Sequence, residues 1–152
     1  MNQYYKCLYF LKEALENAPL LNTITQGTDI VDNQKKNIFP LAHINIQSSS
    51  IQDGQVLFSF EVAVVDIRNV SKVSSDDKFT GNDNEIDNLN TCHGIMNYFI
   101  TRLKLKRNDD DIEVESITDL EPILMEFTNM LDGWKTTVSL SIPNNQISVC
   151  CE

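Results

Sequence analysis

The sequence has few of the residues with which proteins bind nucleic acids. Its 152 residues include 12 Lys and Arg against 22 Asp and Glu, which gives a formal net charge of −10. In the last third, residues 112–152, Lys135 is the one basic residue. A nucleic-acid clamp needs clustered basic residues that displace counterions, so this balance argues against one. It still allows a surface past which DNA merely slides.

The common motifs of catalysis and metal binding are also missing. There is no G-x-S-x-G, no H-E-x-x-H and no glycine-rich phosphate loop, and the chain has only 5 glycines. His43 and His93 are far apart, and a lone histidine beside an apolar stripe is more often an ordinary side chain than a base. Acidic runs at 76–85 and 109–111 lack the spacing of a calcium loop. We expect no catalytic residue, no cofactor and no metal.

Four cysteines also fail to form a recognisable framework. Cys7, Cys92, Cys150 and Cys151 include no C-x-x-C pair, which indicates free thiols in a reducing compartment. The sulfur atoms of the vicinal pair Cys150 and Cys151 are soft ligands, which suit a soft metal ion. Without a nearby histidine, however, we do not expect a zinc site there.

Long hydrophobic runs and targeting signals are absent as well. No run approaches the roughly eighteen apolar residues that span a bilayer, and the first residues lack a signal-peptide pattern. We therefore expect a protein that is made in a cytoplasm and binds no membrane. A composition of 41% hydrophobic and 22% charged residues predicts one domain, 1–152, with a single core.

Periodicity predicts an α+β fold. Apolar residues recur at helical spacing in 2–17 and 85–106. They alternate in strands near 41–48, 55–67, 112–120 and 134–142, and the first two of these strands should form a hairpin. The segment 121–132 fits either a helix or a strand, and we favour a strand followed by a turn. We expect an antiparallel sheet with the two main helices packed on one face.

Two long polar segments, 26–39 and 67–84, interrupt this pattern. Neither has enough apolar surface to offset the conformational entropy lost when it becomes ordered. Loops of this length in a compact domain are usually functional or are ordered by a partner. Neighbouring subunits are the partners that we expect.

The single tryptophan lies in the pattern N-x-L-x-G-W, which is formed by Asn129, Leu131, Gly133 and Trp134. Asn and Gly tolerate left-handed backbone geometry, so the pattern predicts a tight turn with Gly133 at positive φ. Trp134 would then begin the last strand as a large core anchor. Taken alone, this is a structural motif without chemistry.

The same stretch carries a resemblance to a known family. Glu121-Pro122, a hydrophobic run, N-x-L-x-G-W and a strand ending at Pro143-Asn144-Asn145 resemble the C-terminal signature of bacteriophage neck and tail-completion proteins. In that family the turn more often reads Ala-Gly-Trp, whereas Asp132 precedes Gly133 here. Upstream, the segment 31–44, in which Pro40 opens a strand, resembles a second block of the family. The resemblance covers nearly the whole chain in order.

The resemblance implies a tail-terminator-like fold and a structural role in a virion. Such a protein forms a ring at the head–tail junction, a hexamer or dodecamer, between the portal or connector and the tail proteins. DNA passes through without specific binding, and the protein is found in the host cytoplasm during assembly. It implies no enzymatic activity. We expect the isolated chain to be monomeric or weakly associated, because its net charge opposes self-association.

The acidic strand near 112–120 supplies candidate channel-lining residues. Glu113 and Glu115 lie two residues apart and therefore share one face of a strand, opposite Val114. If the chain lines a DNA path, a negative wall would keep the duplex from sticking. A solvated outer face is the alternative for these residues. For the whole chain, the alternatives are an assembly factor that leaves the virion and a small acidic ligand-binding domain.

Overall fold

The computed structural model describes residues 3–27, 39–68, 83–105, 111–126 and 130–144. These residues form an α+β fold, which confirms the predicted class. The helices are α1 (Gln3–Glu16) and α2 (Glu85–Leu105). The strands are β1 (Thr23–Gln26), β2 (Leu41–Gln52), β3 (Gln55–Ile67), β4 (Glu113–Ile117), β5 (Glu121–Glu126) and β6 (Leu131–Pro143).

The strands form one sheet in the order β1-β2-β3-β6-β4, and β5 also pairs with β6. All pairings are antiparallel except that of β1 with β2. Along β6, β4 covers the half near Ser141, whereas β5 covers the half near Gly133. The strands β3 and β6 pair over their full length and form the centre of the sheet.

The main core lies on one face of this sheet, here called the core face. Alternate residues of β3 and β6 point into it, because successive side chains of a strand point to opposite faces. They meet the buried apolar positions of both helices in a single cluster. Its largest fully buried members include Phe60, Phe99, Leu11, Leu15, Met96 and Leu140. The apolar residues that recur at helical spacing and those that alternate in the strands therefore pack in the same core.

The charges of α2 suit its helix dipole. Glu85 and Asp87 lie in the first turn, and Arg102 and Lys104 lie in the last. Acidic side chains near a helix N-terminus and basic ones near its C-terminus each contribute about 0.3–1 kcal/mol when exposed. Within the described residues, neither helix is long and apolar enough to cross a membrane.

The opposite face of the sheet is called here the open face. At the end near Leu131 it carries a second, smaller buried cluster, formed by Phe39, Leu41, Val65, Ile123 and Leu131. At the other end it carries half-buried polar residues, among them Ser59, Glu61, Thr137 and Ser139. The core face is apolar where it meets the main cluster but carries the polar residues Asp66, Asp132 and Thr136 near the start of β6. The open face changes from apolar to polar along its length.

The hairpin of β2 and β3 is longer than predicted. β2 continues to Gln52, past the predicted end at 48, whereas β3 begins at Gln55 as predicted. Asp53 and Gly54 form the turn. Gly54 has a φ of 82°, a backbone conformation that glycine adopts without steric cost. The distal part of β2, residues 46–52, is exposed on both faces.

Two predicted boundaries need correction. The strand predicted over 112–120 ends at Ile117, and after a short irregular stretch the chain forms β5, the strand favoured for 121–126. The last strand begins at Leu131 instead of Trp134, because Met130, with a φ of 53°, occupies the turn position. Asn129, predicted for that turn, lies outside the described residues, as do Cys150 and Cys151.

Candidate functional sites

Gly133 has a different role from the one predicted. It lies inside β6 opposite Val65, and it is not among the glycines with positive φ. A Cβ atom at this position would overlap the carbonyl oxygen of Val64 and lie 2.8 Å from the Cα of Val65. Gly133 is required because the backbone of β3 approaches it closely, and not because of a turn.

The indole nitrogen of Trp134 joins the sheet to α2 by a hydrogen bond, while the ring packs against the main core. The side chain is half-buried and packs against the main core, as expected of a core anchor. Its indole Nε1 donates a hydrogen bond to the carbonyl oxygen of Leu89 at 2.9 Å. The exposed His93 ring lies edge-on to the indole, with ring centroids 5.4 Å apart. His93 is thus a surface neighbour of Trp134, as a lone histidine at this position suggested.

The most elaborate polar site is a buried ion pair between Arg68 and Asp132. Arg68 Nε donates to Asp132 Oδ2 at 2.8 Å and Nη2 donates to Oδ1 at 2.7 Å, a bidentate geometry. The side chains are 4% and 0% exposed. Glu85 Oε2 lies 3.0 Å from the same Nη2. The hydrogen bond to Asp132 raises the pKa of the Arg68 guanidinium, so Arg68 remains charged.

Two asparagines extend this site to the end of β3. Asn88 Nδ2 donates to the carbonyl oxygen of Ile67 at 3.0 Å, and Asn84 Nδ2 donates to the same oxygen at 3.2 Å. The backbone N–H of Arg68 donates to the carbonyl of Met130 at 3.0 Å. The network fastens together the end of β3, the start of α2 and the start of β6. It therefore fixes both ends of the polar segment 69–82.

Asp132 is the residue at which the chain departs from the resembling family. The structure gives a physical reason for an acid there, because Arg68 is buried and needs a counter-charge. Sequence reasoning missed the pair, since its members lie 64 residues apart. Asp66, the cross-strand partner of Asp132 in the register, is also partly buried. Desolvation raises the pKa of the Asp66 carboxyl, although its hydrogen bond from the N–H of Ile67 acts in the opposite sense.

The described cysteines, Cys7 and Cys92, are free and buried. Burial raises the pKa of the Cys7 thiol to about 12, and burial with the nearby carboxylates Asp66 and Asp132 raises that of Cys92. A thiol with a raised pKa is a poor nucleophile and metal ligand at neutral pH. These two cysteines act as small core residues.

Glu113 and Glu115 lie on the polar half of the open face. Both are exposed, whereas Val114 and Ile117 of the same strand pack against the main core. Glu113 is opposite Ser141, and a register shift follows between Val114 and Ser116. The shift lets Glu115 reach the same neighbour, because Ser141 Oγ donates to Glu115 Oε1 at 2.6 Å. The two carboxylates therefore flank one buried serine.

Uncharged polar groups continue this surface across the sheet. The hydroxyls of Ser59 and Ser139 lie 3.0 Å apart, and Gln47 Nε2 donates to Glu61 Oε2 at 3.2 Å. These contacts hold side chains in place along β2, β3 and β6 without a bound group. A surface of hydroxyl groups bordered by carboxylates attracts phosphate only weakly.

Pro40 opens β2 as predicted and lies in a polar contact with the chain before β1. The Phe39–Pro40 peptide bond is cis. Asn22 Nδ2 donates to the carbonyl oxygen of Phe39 at 2.6 Å, and the Asn22 backbone N–H donates to that of Pro40 at 3.0 Å. These bonds align β1 with the first residues of β2.

His43 continues this junction between β1 and β2. Its Nδ1 shares a hydrogen bond of 2.7 Å with Thr25 Oγ1, and the ring also bonds the backbone of Gly27. The side chain is buried, and desolvation lowers the pKa of the imidazole despite the opposing effects of Gly27 and Glu61. His43 serves as a neutral structural link at this place.

Metal ligands do not come together in the described part of the chain. No group of three His, Cys, Asp or Glu side chains has the geometry to hold an ion there. Of the acidic runs considered above, residues 76–82 and 109–110 lie outside the described residues. The described members are Asp83, Glu85 and Asp111, and Glu85 is already paired with Arg68.

Comparison of the sequence with protein-family models and with curated proteins finds no match.

Proposed function

We propose that this chain is a structural virion protein that forms a ring at the head–tail junction of a tailed bacteriophage. It joins the portal or connector to the tail, as a hexamer or dodecamer, and DNA passes along it without specific binding. The proposal assigns the chain no reaction. It rests on the resemblance described above and on the character of the open face.

The observation that carries the proposal is the division of the sheet into two unlike faces. Most of the core face is apolar, and its apolar side chains pack in one cluster with residues of both helices. The polar half of the open face carries small hydroxyl side chains, with Glu113 and Glu115 at its border. Such a surface supports a wall past which a duplex slides, because carboxylates repel phosphate and hydroxyls hold it weakly.

The buried ion pair supports the same role in a different way. Arg68, Asp132 and Glu85 hold the ends of the polar segment 69–82 at one fixed place on the body. Fixed residues on either side of a long polar segment suit a protein whose remaining contacts are supplied by neighbours. Heterologous contacts between identical subunits close into rings when the rotation between them allows it.

A charge-reversal experiment tests the channel-lining part of the proposal. Glu113→Lys with Glu115→Lys changes the open face by four charge units. The matched control, Glu13→Lys with Glu16→Lys, makes the same change on exposed positions of α1. We expect particles with the first pair to package or eject DNA poorly, with a defect that weakens as ionic strength rises.

The control pair should package and eject DNA like the unchanged protein. It loses the surface contacts of Glu13 and Glu16, among them the exposed Lys12–Glu16 ion pair, which is worth about 0.3–0.5 kcal/mol. Normal infectivity of the Glu113 and Glu115 variant would remove the channel-lining assignment. An equal defect in both pairs would show a general effect of charge and would also count against it.

The competing role, an assembly factor that leaves before the virion is complete, shares the same surfaces. Mass spectrometry of purified particles separates the two, because only a virion component remains after purification. A small ligand-binding domain would instead require polar groups that converge on a pocket.

A further inference from the structure

The outer edge of β2 is only partly covered within the described residues. The short strand β1 pairs with residues 41–44, and beyond it the Gly27 N–H donates to the carbonyl of Ile44 at 3.1 Å. From 45 to 52, β2 pairs on its inner side with β3 and with no described strand on its outer side. Among the described residues, the backbone donors and acceptors on the outer side of 45–52 therefore have no strand partner along about eight residues.

This edge lacks most of the features that protect natural edge strands. Residues 45–52 read NIQSSSIQ and include no charged residue, no proline and no glycine. Ile51 is 79% exposed and Ile46 is 39% exposed. Proteins usually block free edges with lysine, proline or a covering segment, because an open edge pairs readily with another strand. A register shift between Ile46 and Ser48 is the one irregularity here.

A segment suited to this edge occurs in the same chain. In 146–151, Ile147, Val149 and Cys151 alternate with Gln146, Ser148 and Cys150, which is the pattern of a half-buried strand. The segment has no charge, no proline and no glycine. It follows β6, and the backbone N–H of Asn144 donates to the carbonyl of Gly54 at 3.0 Å. The last described residue before the segment, Asn144, thus lies beside the hairpin turn at which β2 ends.

We propose that residues 146–151 of one copy add as a strand to the 45–52 edge of β2 in a neighbouring copy. The new strand would complete the sheet through main-chain hydrogen bonds, with alternate apolar side chains facing Ile46 and Ile51. Each subunit donates one segment and accepts one, so the contact is head-to-tail and repeats around a ring. The closure of that ring rests on the proposed function, whereas the strand pairing does not.

The geometry favours a neighbour's edge over the chain's own. To reach the outer side of β2 from β6, the chain would cross three strand spacings, about 14 Å. This path takes about four residues of extended chain. Residues 145–148 would be used in the crossing, which leaves only half of the alternating segment to pair. In a neighbour, all six residues remain available.

The charges predict the conditions under which the pairing forms. Both paired segments are neutral, but each subunit has a formal net charge of −10. Repulsion between whole subunits opposes the contact at low salt and is screened at higher salt. Self-association should therefore be weak in the isolated protein and should increase with ionic strength.

Hydrogen exchange and sedimentation of the full chain test this pairing. The test variant is Ile147→Pro with Val149→Pro, which removes two backbone donors and disrupts a strand. The control is Ile147→Val with Val149→Ile, which keeps the alternation. In 0.5 M NaCl, raising the protein concentration should slow amide exchange in 45–52 for the natural chain and for the control. The proline variant should show no such protection, and its dimerisation Kd should rise about tenfold or more.

A second variant perturbs the accepting edge. Ile51→Lys places a charge at an exposed position, so the fold should be retained, and it should weaken association in the same way. Exchange in 45–52 that does not depend on concentration would overturn the proposal, as would a proline variant that associates like the control. The virion role is judged separately. Pairing in solution by a chain that is absent from particles would reject that role alone, and particles that assemble normally with the proline variant would reject the pairing alone.

Discussion

Removal of Arg68 should destabilise the protein more than removal of its partner Asp132. In Arg68→Ala, both Asp132 and Glu85 lose the guanidinium, and Asp132 has no solvent exposure. In Asp132→Ala, Arg68 keeps Glu85 at 3.0 Å. Breaking a buried ion pair by removing one member costs about 3–5 kcal/mol. We therefore expect Arg68→Ala near the upper end of that range and Asp132→Ala near the lower end.

Urea denaturation followed by the fluorescence of Trp134 measures both changes. With a slope of about 2 kcal/mol per molar urea, a loss of about 4 kcal/mol lowers the midpoint by about 2 M. The double variant Arg68→Ala with Asp132→Ala removes both charges of the pair. It should cost less than the sum of the two single changes, because neither charge is left without its partner.

Three outcomes would refute this reasoning. In the first, each single variant costs less than about 1 kcal/mol of stability. In the second, Asp132→Ala loses more stability than Arg68→Ala. In the third, the cost of the double variant equals the sum of the costs of the two single variants. The last result would mean that the two side chains contribute independently, and that their short distances have no energetic weight.

The remaining predictions concern single positions. Gly133→Ala should lower the free energy of unfolding by about 3 kcal/mol or more, because its Cβ would overlap the backbone of Val64. The control Gly94→Ala lies on α2 with open space around it and should stabilise the protein by up to about 1 kcal/mol. Thermal unfolding compares the two variants. Burial lowers the folded-state pKa of His43, so the stability of the protein should be retained above about pH 6.5 and should decline as the pH falls below it. In urea titrations at a series of pH values, His43→Gln should flatten that decline. Trp134→Phe should cost about 1 kcal/mol of stability, because its hydrogen bond to α2 is lost, and Trp134→Ala should cost about 3 kcal/mol. An unchanged unfolding midpoint in both variants would indicate that the tryptophan binds a partner instead.

Local periodicity made much of the fold predictable. Phe58, Phe60, Val62 and Val64 alternate in the sequence, and the structure buries all of them on the core face. The two helices were equally visible, because their apolar residues recur every three or four positions. Both signals are local and depend on burial, which is why they survive without knowledge of the tertiary structure.

Features that depend on distant neighbours were not predictable. Gly133 was assigned to a turn because glycine favours turns, whereas the actual constraint is the carbonyl of Val64 on the adjacent strand. The sequence at 20–25 indicated a short extended piece, but four residues are too few to predict that β1 pairs in parallel with β2. The Arg68–Asp132 pair left one weak signal, an acidic residue inside an otherwise apolar and small stretch at the start of β6. Its partner could be identified only from the fold.

We propose that the chain is a virion component arranged as a ring at the head–tail junction. Quantitative mass spectrometry of purified particles, combined with a reconstruction of the junction, tests it most directly. The account predicts a constant copy number that corresponds to one sixfold or twelvefold ring, and density at the junction that fits the sheet with its open face toward the channel. A chain found in the lysate of infected cells but missing from purified particles would contradict the account.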